Sequence, residues 1–302
     1  PRPIDPGRRA TLPGGEWLYL KIYGGPSTLE RVFAEAIAPV LRAELAAGGI
    51  TRWFFLRYGD PEWHFRVRMR GAAEHLHGVV LPALERALRP YHDDGALRRV
   101  TLESYEPELD RYGGLEGMAL AEAVFEADSD AVLALIPHYA ADRAERWRLA
   151  LLGMHDVLDA IGVDLDGKLA LASAGRDGFA RELGAGVEAK KALGQRFRAE
   201  RARIEDLLIH RKDDALAAGI AVLDARRVVL QTTAAQLRDG IAAGRVTRPL
   251  DQLAPSYLHM WVNRAVHAAA REQEFVLYDL LARTYEGLRA RGRGARSAAT
   301  SE

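Results

Sequence analysis

The first third of the chain alternates two kinds of hydrophobic pattern. Short aromatic and apolar segments bounded by Gly, Pro or Asp are typical of β-strands, and segments with an apolar residue every three or four positions are typical of helices. The predicted strands are residues 17–23, 51–58, 63–70 and 97–105. One predicted helix separates the first two strands, and another separates the last two. The resulting β-α-β-β-α-β order predicts a ferredoxin-like unit over residues 14–112.

From residue 115 onward the strand patterns stop, and helical periodicity continues almost to the end of the chain. The predicted helices are residues 115–125, 129–139, 143–161, 186–210, 213–243 and 256–289. Glycines punctuate residues 162–186, which predicts a loop, and the composition of residues 291–302 predicts a disordered tail. We therefore expect an α+β fold, in which the ferredoxin-like unit is followed by a mostly α-helical region over residues 113–290.

Composition and charge narrow the classes of function. The chain has 42 Lys and Arg against 42 Asp and Glu, so it lacks the basic excess that sequence-independent binding to nucleic acid or an anionic membrane requires. It contains no Cys, which excludes a disulfide scaffold, a thiolate nucleophile and thiolate metal ligands. No apolar run approaches the ~20 residues that span a bilayer. We expect a cytoplasmic protein without direct contact to nucleic acid or membrane.

The third predicted strand carries the strongest chemical signal. Alternate residues of a strand face opposite sides of a sheet. Trp63, Phe65, Val67 and Met69 would form one apolar face, and His64, Arg66, Arg68 and Arg70 would line the other. Arginines on one face need an anion, acidic side chains or solvent to offset their repulsion. Two interpretations are open: a solvated face with salt bridges, or a clamp in which guanidinium groups bind a carboxylate or a phosphate.

Two later segments add candidate residues. After the fourth strand, Glu108 and Arg111 are three positions apart and could form an ion pair that aims the guanidinium, with a simple surface ion pair as the alternative. The last predicted helix places His259, Asn263 and His267 on one face, although a zinc site there would lack a third ligand. His259 lies near the predicted start of this helix. That position favours the neutral imidazole that a general base needs.

Four segments occur in an order that resembles a known family. They are residues 17–25 (WLYLKIYGG), residues 55–68 with FLRYGDP and HFRVR, residues 105–114 (YEPELDRYGG), and residues 257–264 (YLHMWVNR). Over about residues 15–289 the chain resembles the C-terminal elimination domain of class I lanthipeptide (lantibiotic) dehydratases, also called the thiopeptide-type bacteriocin biosynthesis domain.

The resemblance implies a lyase that needs no cofactor and no metal. In that family a separate or fused partner protein transfers glutamate from glutamyl-tRNA to Ser or Thr of a ribosomally made precursor peptide. The elimination domain then expels the glutamate and leaves dehydroalanine or dehydrobutyrine. The implied catalytic residues are Arg66, Arg68, Arg111 and His259, and the residues assigned to substrate binding are Glu108, which supports the arginines, and Asn263.

The candidate residues fit the chemistry of β-elimination. The reaction needs a base for the α-proton, stabilisation of the enolate-like charge, and neutralisation of a departing carboxylate. Arginines can do the last two, and His259 can act as the base. Two alternatives stay open: a pyridine synthase of a thiopeptide pathway, which joins two dehydroalanines in a formal cycloaddition, and a non-catalytic peptide-binding subunit. The identity of the peptide and the oligomeric state, including a homodimer, also stay open.

Overall fold

The computed structural model describes residues 10–141 and 145–299, and within these residues four strands form one antiparallel sheet. The strands are β1 (Trp17–Tyr23), β2 (Arg52–Tyr58), β3 (His64–Arg70) and β4 (Arg99–Leu102). Their order across the sheet is β2-β3-β1-β4. Strand β3 is therefore central, with β2 on one side and β1 on the other.

Helical segments connect these strands in the predicted order. Between β1 and β2 lie α1 (Pro26–Val32), a π-helical turn (Phe33–Ile37) and α2 (Ala38–Ala46), and between β3 and β4 lie α3 (Ala73–His75), a second π-helical turn (Leu76–Val80) and α4 (Leu81–Asp93). The observed order of elements is β-α-β-β-α-β, and β4 is shorter than the predicted residues 97–105. The ferredoxin-like classification of this part stays a prediction.

One face of the sheet packs against these helices. Phe65, Val67 and Met69 of β3 are fully buried, which confirms these three positions of the predicted apolar face, whereas Trp63 precedes the strand and is partly exposed. The ring of Phe33, in the first π-helical turn, lies with its centroid 4.8 Å from that of Phe55 and 5.7 Å from that of Phe65. Burying each such side chain stabilises the fold by about 1.5–3 kcal/mol. The opposite face of β3 is thereby left to the polar side chains.

The rest of the described chain is helical. The helices are α5 (Leu115–Ala141), α6 (Arg146–Ala160), α7 (Leu165–Glu182), α8 (Val187–Glu205), α9 (Ala217–Ala242), α10 (Leu250–Ala265) and α11 (Ala270–Ala299), with a π-helical turn at Asp206–His210 and a 3₁₀ turn at Asp214–Leu216. The fold is therefore α+β and mostly helical. In the described ranges, no helix is both long enough and apolar enough to cross a membrane.

The loop predicted at residues 162–186 is wrong, because this segment forms α7. Asp164 caps the helix by accepting a hydrogen bond from a backbone N–H of the first turn at 2.8 Å. Gly175 shows why the segment is rich in glycine: a Cβ atom at this position would lie 2.6 Å from ring carbons of Tyr278 in α11. The glycine pattern therefore reflects close helix packing rather than a loop.

Other helix boundaries also differ from the prediction. Helix α5 runs without the break expected at residues 126–128, and the single helix expected at residues 256–289 is divided into α10 and α11. Residues 291–299 continue α11 instead of forming the expected disordered tail, and residues 300–302 lie outside the described residues. No proline interrupts this stretch, and Arg291 forms an ion pair with Glu205 at 3.0 Å.

The chain divides into two compact units, at a different place from the prediction. One unit consists of Pro1–Pro137 with Ala235–Pro249, and the other of His138–Ala234 with Leu250–Glu302. The boundary expected between residues 112 and 113 therefore falls inside the first unit. The cause is that much of α5 belongs with the sheet.

Helix α5 is tied to the sheet because its side chains bind the free edge of β2. The backbone N–H of Trp53 donates to Glu126 at 3.2 Å, and its indole N–H donates to Asp130 at 3.0 Å. The backbone N–H of Phe55 donates to the Oγ of Ser129 at 3.1 Å. These side chains replace the neighbouring strand that an edge strand lacks.

Candidate active site

The polar face of β3 is largely buried, which does not fit the solvated-face interpretation. His64 is 1% exposed and Arg68 is 8% exposed, whereas Arg66 is partly exposed and Arg70 is exposed. Arg70 is the member of the row that forms a surface ion pair, with Glu16 at 2.9 Å. The other two arginines of the strand have no ion pair with a carboxylate among the described residues.

Arg68 lies in a cage of aromatic rings. Its guanidinium carbon is 4.1 Å from the ring centroid of Tyr19, 5.1 Å from that of Tyr105 and 5.4 Å from that of Phe54. Tyr19 stands directly opposite Arg68 on β1, so the register of the two strands builds the cage. The electron-rich ring faces stabilise the cation without occupying its N–H groups.

The donors of Arg68 are left without partners in the described part of the chain. Its Nε and Nη1 atoms are buried and make no hydrogen bond. Burial lowers the pKa of Arg68 from its ordinary value, and the nearby carboxylate of Glu108 opposes that change. Arginine nonetheless stays protonated in proteins. A buried cation with unused donors is costly, and a bound anion would satisfy both the charge and the donors.

Arg66 is held over an aromatic ring by a neutral histidine. Its guanidinium carbon lies 3.4 Å from the ring centroid of Tyr58, and its Nε donates to Nε2 of His64 at 3.1 Å. The Nδ1 of His64 donates to the carbonyl of Glu62 at 2.8 Å, so the imidazole carries its proton on Nδ1. Burial lowers the pKa of His64, which favours this neutral form. The orientation of Arg66 therefore depends on the side chain two positions earlier.

The loop after β4 presents the third arginine. Arg111 forms the predicted ion pair with Glu108 at 2.9 Å, and the two side chains are 39% and 59% exposed, as in the surface ion pair that was the alternative interpretation. Gly113 and Gly114 follow in the left-handed region, with φ of +79° and +104°. The carbonyl of Gly113 accepts the N–H of Thr247 at 2.9 Å, which anchors the turn. Glu108 also opposes the lowering of the pKa of Arg68 by burial.

His259 lies in the interior of α10, and the expected position near a helix start is wrong. The helix begins at Leu250, directly after Pro249, and Pro255 lies inside it. Proline is common at the start of a helix, and this stretch contains two prolines that could mark it. The dipole argument for a neutral imidazole therefore does not apply to His259.

His259 is instead paired with a buried carboxylate. Its Nδ1 lies 2.8 Å from Oε2 of Glu274, whose side chain is 2% exposed. A carboxylate oxygen accepts, so Nδ1 carries the proton and Nε2 of the neutral ring is the hydrogen-bond acceptor. The side chain of His259 is 29% exposed. Asn263 lies one turn further along the same helix.

The candidate residues divide between the two compact units. Arg66, Arg68, Glu108 and Arg111, which we call the arginine cluster, belong to the unit that holds the sheet. His259 and Asn263 belong to the other unit, where His259 pairs with Glu274. No pattern in the sequence indicated Glu274 or the rings of Tyr105 and Phe54, which surround Arg68 together with that of Tyr19. Alternation places Tyr19 on the polar face of β1, which was the one available signal for the cage.

The sequence matches a protein family over most of its length. The family model described as "Lantibiotic biosynthesis dehydratase C-term" matches residues 17–285. Subtilin biosynthesis protein SpaB of Bacillus subtilis is 34% identical over 128 residues, which are 42% of this chain and 12% of SpaB. Nisin biosynthesis protein NisB of Lactococcus lactis subsp. lactis is 33% identical over 123 residues, which are 40% of this chain and 12% of NisB. The matches therefore span about an eighth of each relative.

Solved structures share the fold. The tRNA-dependent lantibiotic dehydratase MibB from Microbispora sp. 107891 matches with a TM-score of 0.74 and 25% identity, covering 96% of this chain and 29% of MibB. TbtD, the pyridine synthase from thiomuracin biosynthesis, matches with a TM-score of 0.66 and 14% identity, covering 89% of this chain and 97% of TbtD. At that identity, TbtD indicates a common fold alone. Because the family model covers most of its residues, the chain belongs to the family of lantibiotic biosynthesis dehydratase C-terminal domains.

Proposed function

We propose that this chain is a lyase that eliminates glutamate from glutamylated Ser or Thr side chains of a precursor peptide. The observation that carries the proposal is the buried guanidinium of Arg68, which has two donors without partners in the described residues. An expelled glutamate carries two carboxylates, and an arginine cluster is suited to bind them. Family membership supports a role in dehydration during lanthipeptide biosynthesis.

The proposed step breaks two bonds and forms one double bond. The base removes the α-proton of the glutamylated residue, the electron pair forms the Cα=Cβ bond, and the Cβ–O bond breaks. Glutamate leaves through its carboxylate oxygen, and the proton stays on the base. We assign the base to Nε2 of His259, because Nδ1 is engaged by Glu274.

The arginines offset the negative charge of this step. We assign to Arg68 and Arg66 the stabilisation of charge on the peptide carbonyl or on the departing carboxylate, since neither has a competing ion pair in the described ranges. Arg111 is presented by Glu108 on the adjacent loop. Such fixed donors are effective because they need little reorganisation when the charge develops.

The proposal assigns glutamylation to another protein or another domain. The chain covers 29% of MibB and matches 12% of SpaB and of NisB. The proposed partners are a glutamylated precursor peptide and a separate or fused glutamylating protein that uses glutamyl-tRNA. The reaction assigned to this chain needs neither tRNA nor a redox cofactor.

The site assignment is tested by a matched pair of substitutions on β3. We expect Arg68→Gln to lower kcat/KM for glutamate loss from a synthetic glutamyl-Ser peptide by about 10²–10³-fold, the usual cost of one transition-state donor. Arg70→Gln lies on the same strand face but is exposed and paired with Glu16, so it should stay within about twofold of the parent protein. Mass spectrometry of the peptide gives both rates. Equal rates in the two variants would show that Arg68 has no specific role in elimination.

A second candidate is a pyridine synthase. TbtD, which carries that name, shares the fold of this chain. A peptide with two dehydroalanines distinguishes the candidates, because a synthase would convert it to a ring and a lyase would leave it unchanged. The combination of arginines with a carboxylate-bound histidine favours elimination.

A further inference from the structure

We propose that Glu274 is a positioning residue that holds His259 in a single tautomer, with Nε2 as its reactive nitrogen. This inference rests on the proposed role of His259 as the base. It adds a residue outside the segments that carry the family resemblance, since Glu274 lies in α11.

The geometry fixes both partners. Oε2 of Glu274 lies 2.8 Å from Nδ1 of His259, which is within the range of a charge-assisted hydrogen bond. The start of α11 is itself held in place, because the N–H of Gln273 donates to the carbonyl of Ala269 at 2.9 Å and its side-chain amide donates to the carbonyl of Ala268 at 2.6 Å. The carboxylate is therefore presented from a defined turn of the helix.

The need to join α10 and α11 does not explain why Glu274 is buried. Its side chain is 2% exposed, and among the described residues His259 is its hydrogen-bond partner and ion-pair partner. The ring of Tyr278, one turn later in α11, is buried nearby, and burial raises the pKa of that phenol. Burying a carboxylate against one partner contributes little or negative net stability. An apolar pair would join α10 and α11 at lower cost.

The pair has a direct chemical consequence. With its proton on Nδ1 bound to Glu274, the neutral ring keeps a lone pair on Nε2 and can accept a proton there. When the ring becomes positively charged, the adjacent carboxylate stabilises that charge. Glu274 therefore selects the reactive nitrogen and strengthens the base, and it does not itself take the substrate proton.

The test compares two glutamates of α11. We expect Glu274→Gln to lower kcat for elimination from the glutamyl-Ser peptide by about ten- to a hundredfold, within the roughly 10²–10⁴-fold that general acid–base catalysis contributes, with KM changed by less than about twofold. Glu272→Gln, on the exposed side of the same helix, should match the parent protein. A Glu274→Gln variant with parental kcat would overturn the proposal.

The pH profile separates positioning from a loss of packing. Removing the negative charge disfavours the imidazolium, so the acidic limb of the kcat profile should move to lower pH in Glu274→Gln. A variant that has only lost packing would be slower with the limb unmoved, and that result would also contradict the proposal.

A spectroscopic measurement on the parent protein tests the tautomer without depending on whether a variant folds. ¹⁵N NMR of the histidine-labelled chain should show His259 protonated at Nδ1 and not at Nε2 at pH above the acidic limb. Protonation at Nε2 would refute the positioning role even where elimination is observed. If His259→Ala eliminates glutamate at the parental rate, His259 is not the base and the positioning role of Glu274 is refuted as well. If instead the parent chain eliminates no glutamate while the NMR shows the Nδ1–H form, the proposed function fails and the structural pairing stands.

Discussion

Arg68, in the arginine cluster, illustrates how a residue can favour ligand binding at the expense of protein stability. Arg68 is charged and buried, and aromatic rings surround it where carboxylates would ordinarily stand. A carboxylate partner would stabilise the folded chain more, but it would compete with an anionic ligand for the same N–H groups. The aromatic cage offsets part of the cost of burial and leaves those donors available. This arrangement is expected of a residue that binds a leaving carboxylate.

The hydroxyl of Tyr105 provides a residue-level prediction. It donates to Oε1 of Glu122 at 2.7 Å, and burial raises the pKa of both groups. Tyr105→Phe keeps the ring beside Arg68 but leaves a buried carboxyl group without its donor. We expect the free energy of unfolding to fall by about 1–3 kcal/mol in chemical denaturation. Tyr91→Phe removes a similar 2.9 Å bond to an exposed Glu35 and should change it by less than about 0.5 kcal/mol.

Two results would contradict that account. Equal losses of stability in both tyrosine variants would mean that burial of Glu122 carries no cost. A Tyr105→Phe variant that loses elimination as completely as Arg68→Gln would mean that the hydroxyl, rather than the ring, serves the site.

Among the elements, α5 and β2 depend on each other. Strand β2 is an edge of the sheet, and side chains of α5 take up its N–H groups. Ser129 is buried, accepts the N–H of Phe55 at 3.1 Å and donates to the carbonyl of Phe125 at 2.6 Å. The helix therefore acts as the missing neighbour of the strand.

Ser129→Ala tests this dependence. The substitution leaves the buried N–H of Phe55 without an acceptor, so the free energy of unfolding should fall by about 1–3 kcal/mol in urea. Thr232→Ala in α9 removes a comparable hydroxyl bond to the carbonyl of Val228, at an exposed position, and is expected to change it by less than about 0.5 kcal/mol. A Ser129→Ala variant as stable as the parent would show that β2 does not need α5.

The elements themselves could be predicted where one pattern dominates. The strands followed from alternation and aromatic content, and β1 has the predicted bounds. Helix α7 could not be found, because the requirement for glycine at position 175 comes from the ring of Tyr278, far along the sequence. The start of α10 was misplaced because two prolines competed and only tertiary packing selects between them.

For the whole molecule, the domain boundary predicted from the sequence lies too early in the chain. The first compact unit takes in α5 up to Pro137 and a returning segment, Ala235–Pro249. That segment reaches the loop after β4, where Arg248 donates to the carbonyl of Asp110 at 3.0 Å. No local pattern shows that residues more than a hundred positions apart share a unit. The domain boundary therefore required coordinates.

The candidate site could likewise be predicted from the sequence only where its residues are related by local spacing. Arg66, Arg68 and the Glu108–Arg111 pair followed from alternation and spacing, because those relations are local. Glu274 did not, since its contact with His259 depends on how α10 and α11 pack across a turn. The residues proposed to perform chemistry could be identified in the sequence, and the residue proposed to orient one of them could not.

The central claim is that this chain by itself expels glutamate from a glutamylated side chain. The most direct measurement is a time course of intact-peptide masses when the purified chain meets a synthetic glutamyl-Ser peptide, without tRNA or any other protein. The account predicts that the glutamyl adduct disappears and that a dehydroalanine peptide, lighter by one water than the unmodified peptide, accumulates at the same rate. An adduct that persists, or that returns to unmodified serine by hydrolysis, would contradict the account.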